Sequence, residues 1–199
     1  VPKAQAPLYE TRTSGSTGEP VIVWRSARNQ IDWLATTMRE HLWHSRDFTQ
    51  PFCSIRANIS KEVRLDNWGA PAALLRRTGP LLGFPITLSI EEQTAKIAAF
   101  NTHTLLIYPS DLAGIVQHCE SSGARFAALK AIITVGETLS PDLRERTQNL
   151  FGASISDMYS SQEAGNIALQ CPVSGLYHVM AENLIVEVVD GEGKSVREG

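Results

Sequence analysis

Residues 129–147 read LKAIITVGETLSPDLRERT. An apolar, β-branched run ends at a Gly-Glu pair, and Ser140-Pro141-Asp142 then opens a helix, with Ser140 as its cap and Pro141 just inside it. A strand followed at once by a capped helix is half of a βα unit. The pattern recurs upstream: HTLLIY (103–108) is a buried-type strand, and Pro109 suits a first helical turn. Leu112, Ile115, Val116 and Cys119 then form one apolar stripe, and Gly123 fits the helix end. Downstream, ASISDMY (153–159) is a strand with a polar tip.

The earlier part follows suit. VIVWRS (21–26) is a strand leading into a helix over 27–44 with the stripe Ile31, Leu34, Ala35, Met38 and Leu42. PFCSIRA (51–57) reads as a strand, NWGAP (67–71) as a break, and 72–77 as a short apolar helix. GPLLGFP (79–85) reads as a Gly/Pro turn into a strand PITLS, and Ser89 with Glu92 has capping-box spacing for a helix reaching about Asn101. Repeated βα units imply an α/β fold, a mainly parallel sheet flanked by helices. After residue 165 the grammar changes: NIALQC, GLYHVM and NLIVEVVD read as a short antiparallel β-rich segment joined by Pro/Gly turns. Residues 1–165 are thus expected to form one α/β core, and 166–199 to begin a β-rich subdomain.

The chain has 199 residues, 43% apolar and 20% charged, with net charge −3. Without a basic run there is no footprint for nucleic acid, and no apolar run reaches the roughly 18 residues a membrane span needs. VPKAQAP is not a signal or transit peptide. Three sparse cysteines, Cys53, Cys119 and Cys171, suit a reducing cytoplasm better than a disulfide scaffold. The missing initiator Met and the open DGEGKSVREG tail read as a fragment of a longer chain, with a processed mature protein as the alternative.

Three stretches carry chemistry. In TRTSGSTGEPVIV (11–23), seven of the eight residues 13–20 are Thr, Ser, Gly or Pro. Alone, this is either a flexible turn between strands or a loop whose N–H groups and hydroxyls face phosphate. It is not GxxxxGK[ST], because Glu19 follows Gly18. In DMYSSQEAG (157–165), Tyr159 offers a face for a base, Ser160 and Ser161 are donors, and Glu163 is a carboxylate able to hold Mg2+; the alternatives are a half-buried aromatic and a solvated acid. In VGETLSP (135–141), Gly136 permits close approach and Glu137 can accept hydrogen bonds, or the segment is a plain strand–helix connection.

Taken in order, TSGSTGEP, LLIYPSDL, VGETLSP and DMYSSQEAG resemble the adenylate-forming acyl-CoA synthetase (AMP-binding) superfamily, in its phenylacetate–coenzyme A ligase-like branch. The resemblance runs from Leu8 onward and implies a two-step reaction. A carboxylate attacks the α-phosphate of ATP, and a thiol, usually that of coenzyme A, then displaces AMP. It implies that Ser14, Gly15, Ser16, Thr17 and Gly18 cradle the β- and γ-phosphates. Gly136 and Glu137 would line the adenine side, Asp157 and Met158 border the base, Tyr159 stack on it, and Glu163 hold Mg2+. Thr17 and Glu163 are the catalytic candidates. Tyr108, Pro109 and Ser110 would lie near the acyl pocket, with Trp68, Tyr108 and Phe84 as aromatic wall candidates.

The chain departs from the family pattern at Glu19, where Lys is common, at Gln162, where Thr or Ser is usual, and at Ser160, where Gly is common. Gln162 and Ser160 still offer donors to phosphate. The family's ribose-binding Asp and lid Lys do not occur, so this chain alone is expected to be inactive, with a mobile phosphate loop. A degenerate nucleotide-binding module, or transfer to another acceptor such as a carrier protein or a polysaccharide precursor, stays open, as does a homodimer. Cys171 and His178 are either half of a structural zinc site or a free thiol and a surface imidazole. Cys53 and Cys119 read as core fillers, and His41 and His44 as solvated side chains on one helix face.

Overall fold

The computed structural model describes residues 8–12 and 22–196. The segment holding Ser14, Gly15, Ser16, Thr17, Gly18 and Glu19 therefore lies outside the described residues. β1 (Leu8–Arg12) and β2 (Ile22–Ser26) pair antiparallel as a separate two-stranded sheet. Ser26 then caps α1 (Ala27–Trp43), its hydroxyl accepting from Asn29 N–H at 3.2 Å while Asn29 Oδ1 accepts from the Ser26 N–H.

The remaining strands form one eight-stranded sheet. Its parallel heart runs β5 (Leu81–Pro85), β3 (Phe52–Arg56), β6 (Thr104–Ile107), β7 (Ala131–Val135), β8 (Ser154–Ser161). β4 (Val63–Leu65) flanks β5 antiparallel, and β9 (Gly165–Gln170) and β10 (Tyr177–Val179) extend the β8 edge, also antiparallel. The fold is the expected α/β class with a mostly parallel sheet.

Period-two alternation sorts each central strand into two faces. Cys53, Ile55, Leu105, Ile107, Ile132 and Ile155 pack with Leu112, Ile115, Val116 and Cys119 from α4 (Pro109–Ser122), the stripe read from the sequence. α3 (Ile90–Ala99) and α5 (Pro141–Phe151) flank α4. All three start as expected: Ser89 and Glu92 close a capping box, Pro109 opens α4, and Ser140 accepts from Leu143 N–H at 3.2 Å. Gly123 and Gly152 end α4 and α5 in the left-handed conformation. The opposite face, with Phe52, Ile133 and Met158, meets Met38 of α1 and Trp68.

Three expectations need correction. In α1, Ile31 and Leu42 are exposed, and the buried positions are Thr36, Met38, Glu40 and His41. Polar groups turn inward there because the sheet and the following loop supply them with partners. Leu81–Pro85 is a central strand, not a turn, and 86–88 is the turn. The Gly/Pro content misleads because Leu82 and Phe84 are fully buried, while Gly83 leaves room for Ile59, whose Cδ1 would lie 3.0 Å from an added Cβ. NLIVEVVD forms no sheet strand among the described residues. Its one pairing is a bridge from Val189 to Ser195, and Ile185 is 91% exposed. A β-branched run becomes a strand only where a partner meets its N–H and C=O groups. The short α2 (Ala72–Leu75) forms where expected.

Gly79 sits where the chain crosses back over residues 48–50. A Cβ there would lie 2.6 Å from Gln50 O and closer still to Thr49 O, both fixed backbone atoms. Gly79→Ala is expected to cost about 1–3 kcal/mol through overpacking. Gly191→Ala, which meets nothing within 4 Å, should change stability by no more than about 0.5 kcal/mol. Thermal unfolding of both variants measures the contrast.

Candidate active site

The chemistry-bearing residues gather at the carboxyl ends of the parallel strands, where open α/β sheets place ligands. Tyr108 follows β6, Gly136 and Glu137 follow β7, and Tyr159 to Ser161 end β8. Gly136 has φ +80°, and a Cβ on it would lie 2.9 Å from Tyr108 Cε1, so only glycine fits this crossing. The Glu137 carboxylate accepts from Ser110 N–H at 2.8 Å and from the Ser110 hydroxyl at 2.9 Å. It thereby caps the start of α4, where the helix dipole favours a negative charge.

A cleft of about 490 Å3 opens beside this turn, bordered by Gly136, Glu137, Asp157, Met158, Tyr159, Ser160 and Tyr177. Asp157 is buried in its floor, accepting from the hydroxyls of Thr134 and Tyr177. Burial and the bond to this carboxylate push the Tyr177 phenol up to about 12. Asp157 thus ties β8 to β7 and β10. Tyr159, by contrast, is 59% exposed and presents a free ring to the cleft.

The turn after β8 is anchored from a distance. Arg25 on β2 donates from Nε to the Gln162 carbonyl at 2.8 Å and from Nη2 to Gln162 Oε1 at 3.2 Å. Its guanidinium lies 4.3 Å from the Trp33 ring centre. Burial lowers the Arg25 pKa, against the opposing charge of Glu163. The Gln162 amide N–H groups make no hydrogen bond among the described residues. Glu163 is exposed and makes no hydrogen bond or ion pair among the described residues. An exposed carboxylate suits Mg2+, which takes one or two carboxylates and fills its shell with waters and phosphate oxygens.

Cys171 and His178 also come together. Hydrogen bonds from Ser174, a backbone N–H of Val173 and His178 bring the Cys171 thiol down to about 6. No group of three or more His, Cys, Asp or Glu side chains able to hold a metal occurs among the described residues. The pair therefore offers two zinc donors where a structural site takes four. Cys53 and Cys119 are fully buried, as expected of core fillers.

On the other face of the sheet lies a second cavity, of about 320 Å3, between α1 and the strands. Its walls are largely apolar: Trp33 and Leu34 of α1, Phe52 of β3, Trp68, Leu106 and Ile133. Met158 and Ser160 border both cavities, so the two spaces meet at the end of β8. Of the expected acyl-pocket residues, Trp68 lines this cavity. Phe84 is fully buried in the opposite core, and Tyr108, Pro109 and Ser110 stand by the Gly136 turn instead.

Sequence reasoning missed the residues beneath this cavity. His41 and His44 are not solvated: their side chains are 8% and 10% exposed. Their carboxylate companion is Glu40, fully enclosed, which takes Arg46 Nη2 at 2.6 Å and the Ser156 hydroxyl at 2.7 Å on Oε1. His41 Nδ1 lies 2.9 Å from Glu40 Oε2, and His44 Nε2 lies 2.9 Å from Gln170 O. The available signal was EHLWHSR (40–46), charged and imidazole groups crowded at a helix end.

Burial alone would raise the Glu40 pKa, but the close approach of His41 and the Arg46 guanidinium outweigh it and hold the carboxyl at about 2. The folded value is depressed below the unfolded one, so Glu40 stabilises the fold fully above about pH 5 and loses that contribution as pH falls toward 2. Over that interval the loss is on the order of 3 kcal/mol. Urea unfolding at stepped pH should show the decline in the native chain, and Glu40→Gln should flatten part of it. At neutral pH the same variant, leaving Arg46 uncompensated, should cost about 3–5 kcal/mol.

No protein-family model and no curated protein sequence matches the chain. Solved structures do. The anthranilate CoA ligase AuaEII, in complex with anthranoyl-AMP, matches with TM-score 0.70 and 16% identity over 98% of this chain and 38% of its own. A 2-hydroxyisobutyryl-CoA ligase, in complex with 2-HIB-AMP and CoA, matches with TM-score 0.70 and 15% identity over 100% of this chain and 47% of its own. The Brucella canis acyl-CoA synthetase matches with TM-score 0.66 and 18% identity, over 97% and 36%. No helix among the described residues is long and apolar enough to cross a membrane. The chain spans less than half the length of each of these structures, and over that span its fold is similar to that of these acyl- and aryl-CoA ligases.

Proposed function

We propose that the protein joins a carboxylic acid to ATP as an acyl-adenylate and passes the acyl group to the thiol of coenzyme A. The observation that carries this reading is the meeting of an apolar cavity and a polar cleft at Met158 and Ser160. A carboxylate held at that junction has its apolar body on one side of β8 and a nucleotide on the other. One carboxylate oxygen attacks the α-phosphorus, a P–O bond to pyrophosphate breaks, and a mixed anhydride forms. A thiolate then attacks the acyl carbon, and the C–O bond to AMP breaks. Positioning and charge neutralisation supply most of the acceleration in such chemistry.

In this reading Tyr159 stacks on adenine and Gly136 lets the base approach the backbone. Ser160 and Gln162 donate to phosphate, and the loop Ser14–Gly18 cradles the β- and γ-phosphates. Glu163 would hold Mg2+, which offsets phosphate charge when bound. Glu137 and Asp157 shape the cleft through backbone and buried bonds. Two similar proteins are described with acyl-AMP bound, one of them also with CoA, and this supports the choice of ATP, an acyl or aryl acid and CoA as reactants. Because the chain spans less than half of those proteins, the activity is proposed for the intact protein and not for these 199 residues alone.

The test is ATP–pyrophosphate exchange by the intact protein across a panel of aryl and fatty acids. Exchange with at least one acid is expected, and Glu163→Gln should lower it by about 10²–10³-fold with an unchanged unfolding midpoint. The 199-residue chain alone should give none. Lack of exchange with every acid would reduce the protein to a nucleotide-binding module.

A further inference from the structure

One permanent cation borders the apolar cavity. Phe52, Ser54 and Arg56 alternate along β3, and all three line it. Arg56 Nε is buried, and the side chain makes no hydrogen bond or ion pair among the described residues. Its contact is with the Tyr108 ring, whose centre lies 5.7 Å from the guanidinium carbon. Among the described residues no aspartate or glutamate lines the cavity, and no lysine or second arginine does. A guanidinium keeps its charge at any ordinary pH, and a buried donor left unpaired costs about 1–3 kcal/mol. Buried donors are paired almost everywhere in folded proteins. A cation set in an apolar wall without a carboxylate beside it therefore calls for an anionic guest.

The register of the sheet places this cation far from the junction of the two spaces. Ser54, Leu106, Ile133 and Ser156 stand in one row across β3, β6, β7 and β8. Arg56 and Met158 each lie two residues further along their parallel strands, so they also share a level. Three strand spacings separate them, about 14 Å at roughly 4.8 Å per strand. Leu106, Ile133 and Val135 line the apolar floor between them. The cavity meets the polar cleft at Met158 and Ser160, and a carboxylate placed there cannot also rest on Arg56. A side chain as long as arginine's covers part of the span, which leaves room for a linear or flat guest of several carbons.

Resting on the reading of this cavity as the acyl pocket, we propose that Arg56 sets substrate specificity: its guanidinium binds a second carboxylate, at the end of the acid remote from the reacting one. The substrate class is thus a short dicarboxylic acid, with one carboxylate at Met158 and Ser160 and the other on Arg56. The planar guanidinium matches a carboxylate through two parallel N–H···O bonds, and the apolar floor carries the carbons between. An acid that ends in a methyl group leaves the cation unpaired, and such polar mismatches discriminate more strongly than a missing methylene.

The test is calorimetric binding to the intact protein, without ATP, of three pairs matched in carbon number: glutarate and pentanoate, adipate and hexanoate, terephthalate and 4-methylbenzoate. At least one diacid should bind about tenfold or more tighter than its partner, a difference of about 1.4 kcal/mol. Arg56→Gln should abolish that preference, and Arg56→Lys, which keeps the charge but not the planar fork, should retain part of it. Absence of preference for a diacid in all three pairs, absence of binding, or a preference that survives Arg56→Gln overturns the proposal. A loss of ATP affinity in Arg56→Gln with the acid pairs unchanged also overturns it, by assigning the cation to the nucleotide. Because acid binding is read without ATP, a protein that prefers the diacid through Arg56 yet catalyses no exchange refutes the adenylation and leaves this inference standing.

Discussion

A carboxylate with almost no exposed surface has to be answered by charge and hydrogen bonds, and the way Glu40 is answered fixes how α1 lies on the sheet. Its partners come from three places: His41 beside it on the helix, Arg46 in the loop that follows, and Ser156 on β8. The two that lie off the helix, Arg46 and Ser156, restrain its position on the sheet. Between α1, so held, and the strands lies the apolar cavity lined on the helix side by Trp33, Leu34, Thr37 and His41. Asn166 adds to the restraint, donating to Thr36 and Thr37 at 3.0 and 3.1 Å from β9.

Such a network contributes less to stability than its hydrogen bonds suggest. Taking Glu40 and Arg46 out of water costs several kcal/mol per ion, and apolar residues of the same shape often do as well or better. Its effect here is on geometry. An apolar contact between α1 and the sheet tolerates sliding, whereas a carboxylate shared by Arg46 and Ser156 does not. A helix that slid by one turn would close or widen the cavity by about 5 Å, and the pocket would lose its shape.

The strands and helices that follow βα grammar were legible because each signal there is local. Ser140-Pro141 caps its own helix, and Leu112, Ile115, Val116 and Cys119 declare a face by their own spacing. What was missed depends on distant partners. Leu81–Pro85 is a strand because β3 and β4 flank it, and Gly83 looked like a turn residue because Ile59 cannot be placed from sequence. His41 and His44 looked solvated because Arg46, Ser156 and Gln170 are brought to them by the fold. The same holds in the site. Tyr159, Gly136 and Asp157 stand beside one cleft, as turns at strand ends can announce. The second cavity could not be read, because its walls come from α1, β3, β6, β7 and the Trp68 loop.

β8 is where the reaction proposed above would join two such different spaces. Along Ser156, Met158 and Ser160 one face of the strand looks toward α1; on the other, Ile155 packs in the core beneath α4, and Asp157 and Tyr159 look toward the cleft. Alternation at successive residues separates an apolar environment from a polar one by the thickness of a single backbone. Where the strand ends, that partition ends, and atoms held on either side come within bonding range. An acid wants an apolar bed for its body, and a triphosphate wants hydroxyls, N–H groups and a metal. Neither environment can be built inside the other without burying unpaired charge. Meeting along the second half of one strand, at Met158 and Ser160, would let each be built separately and still bring the atoms of the proposed reaction together.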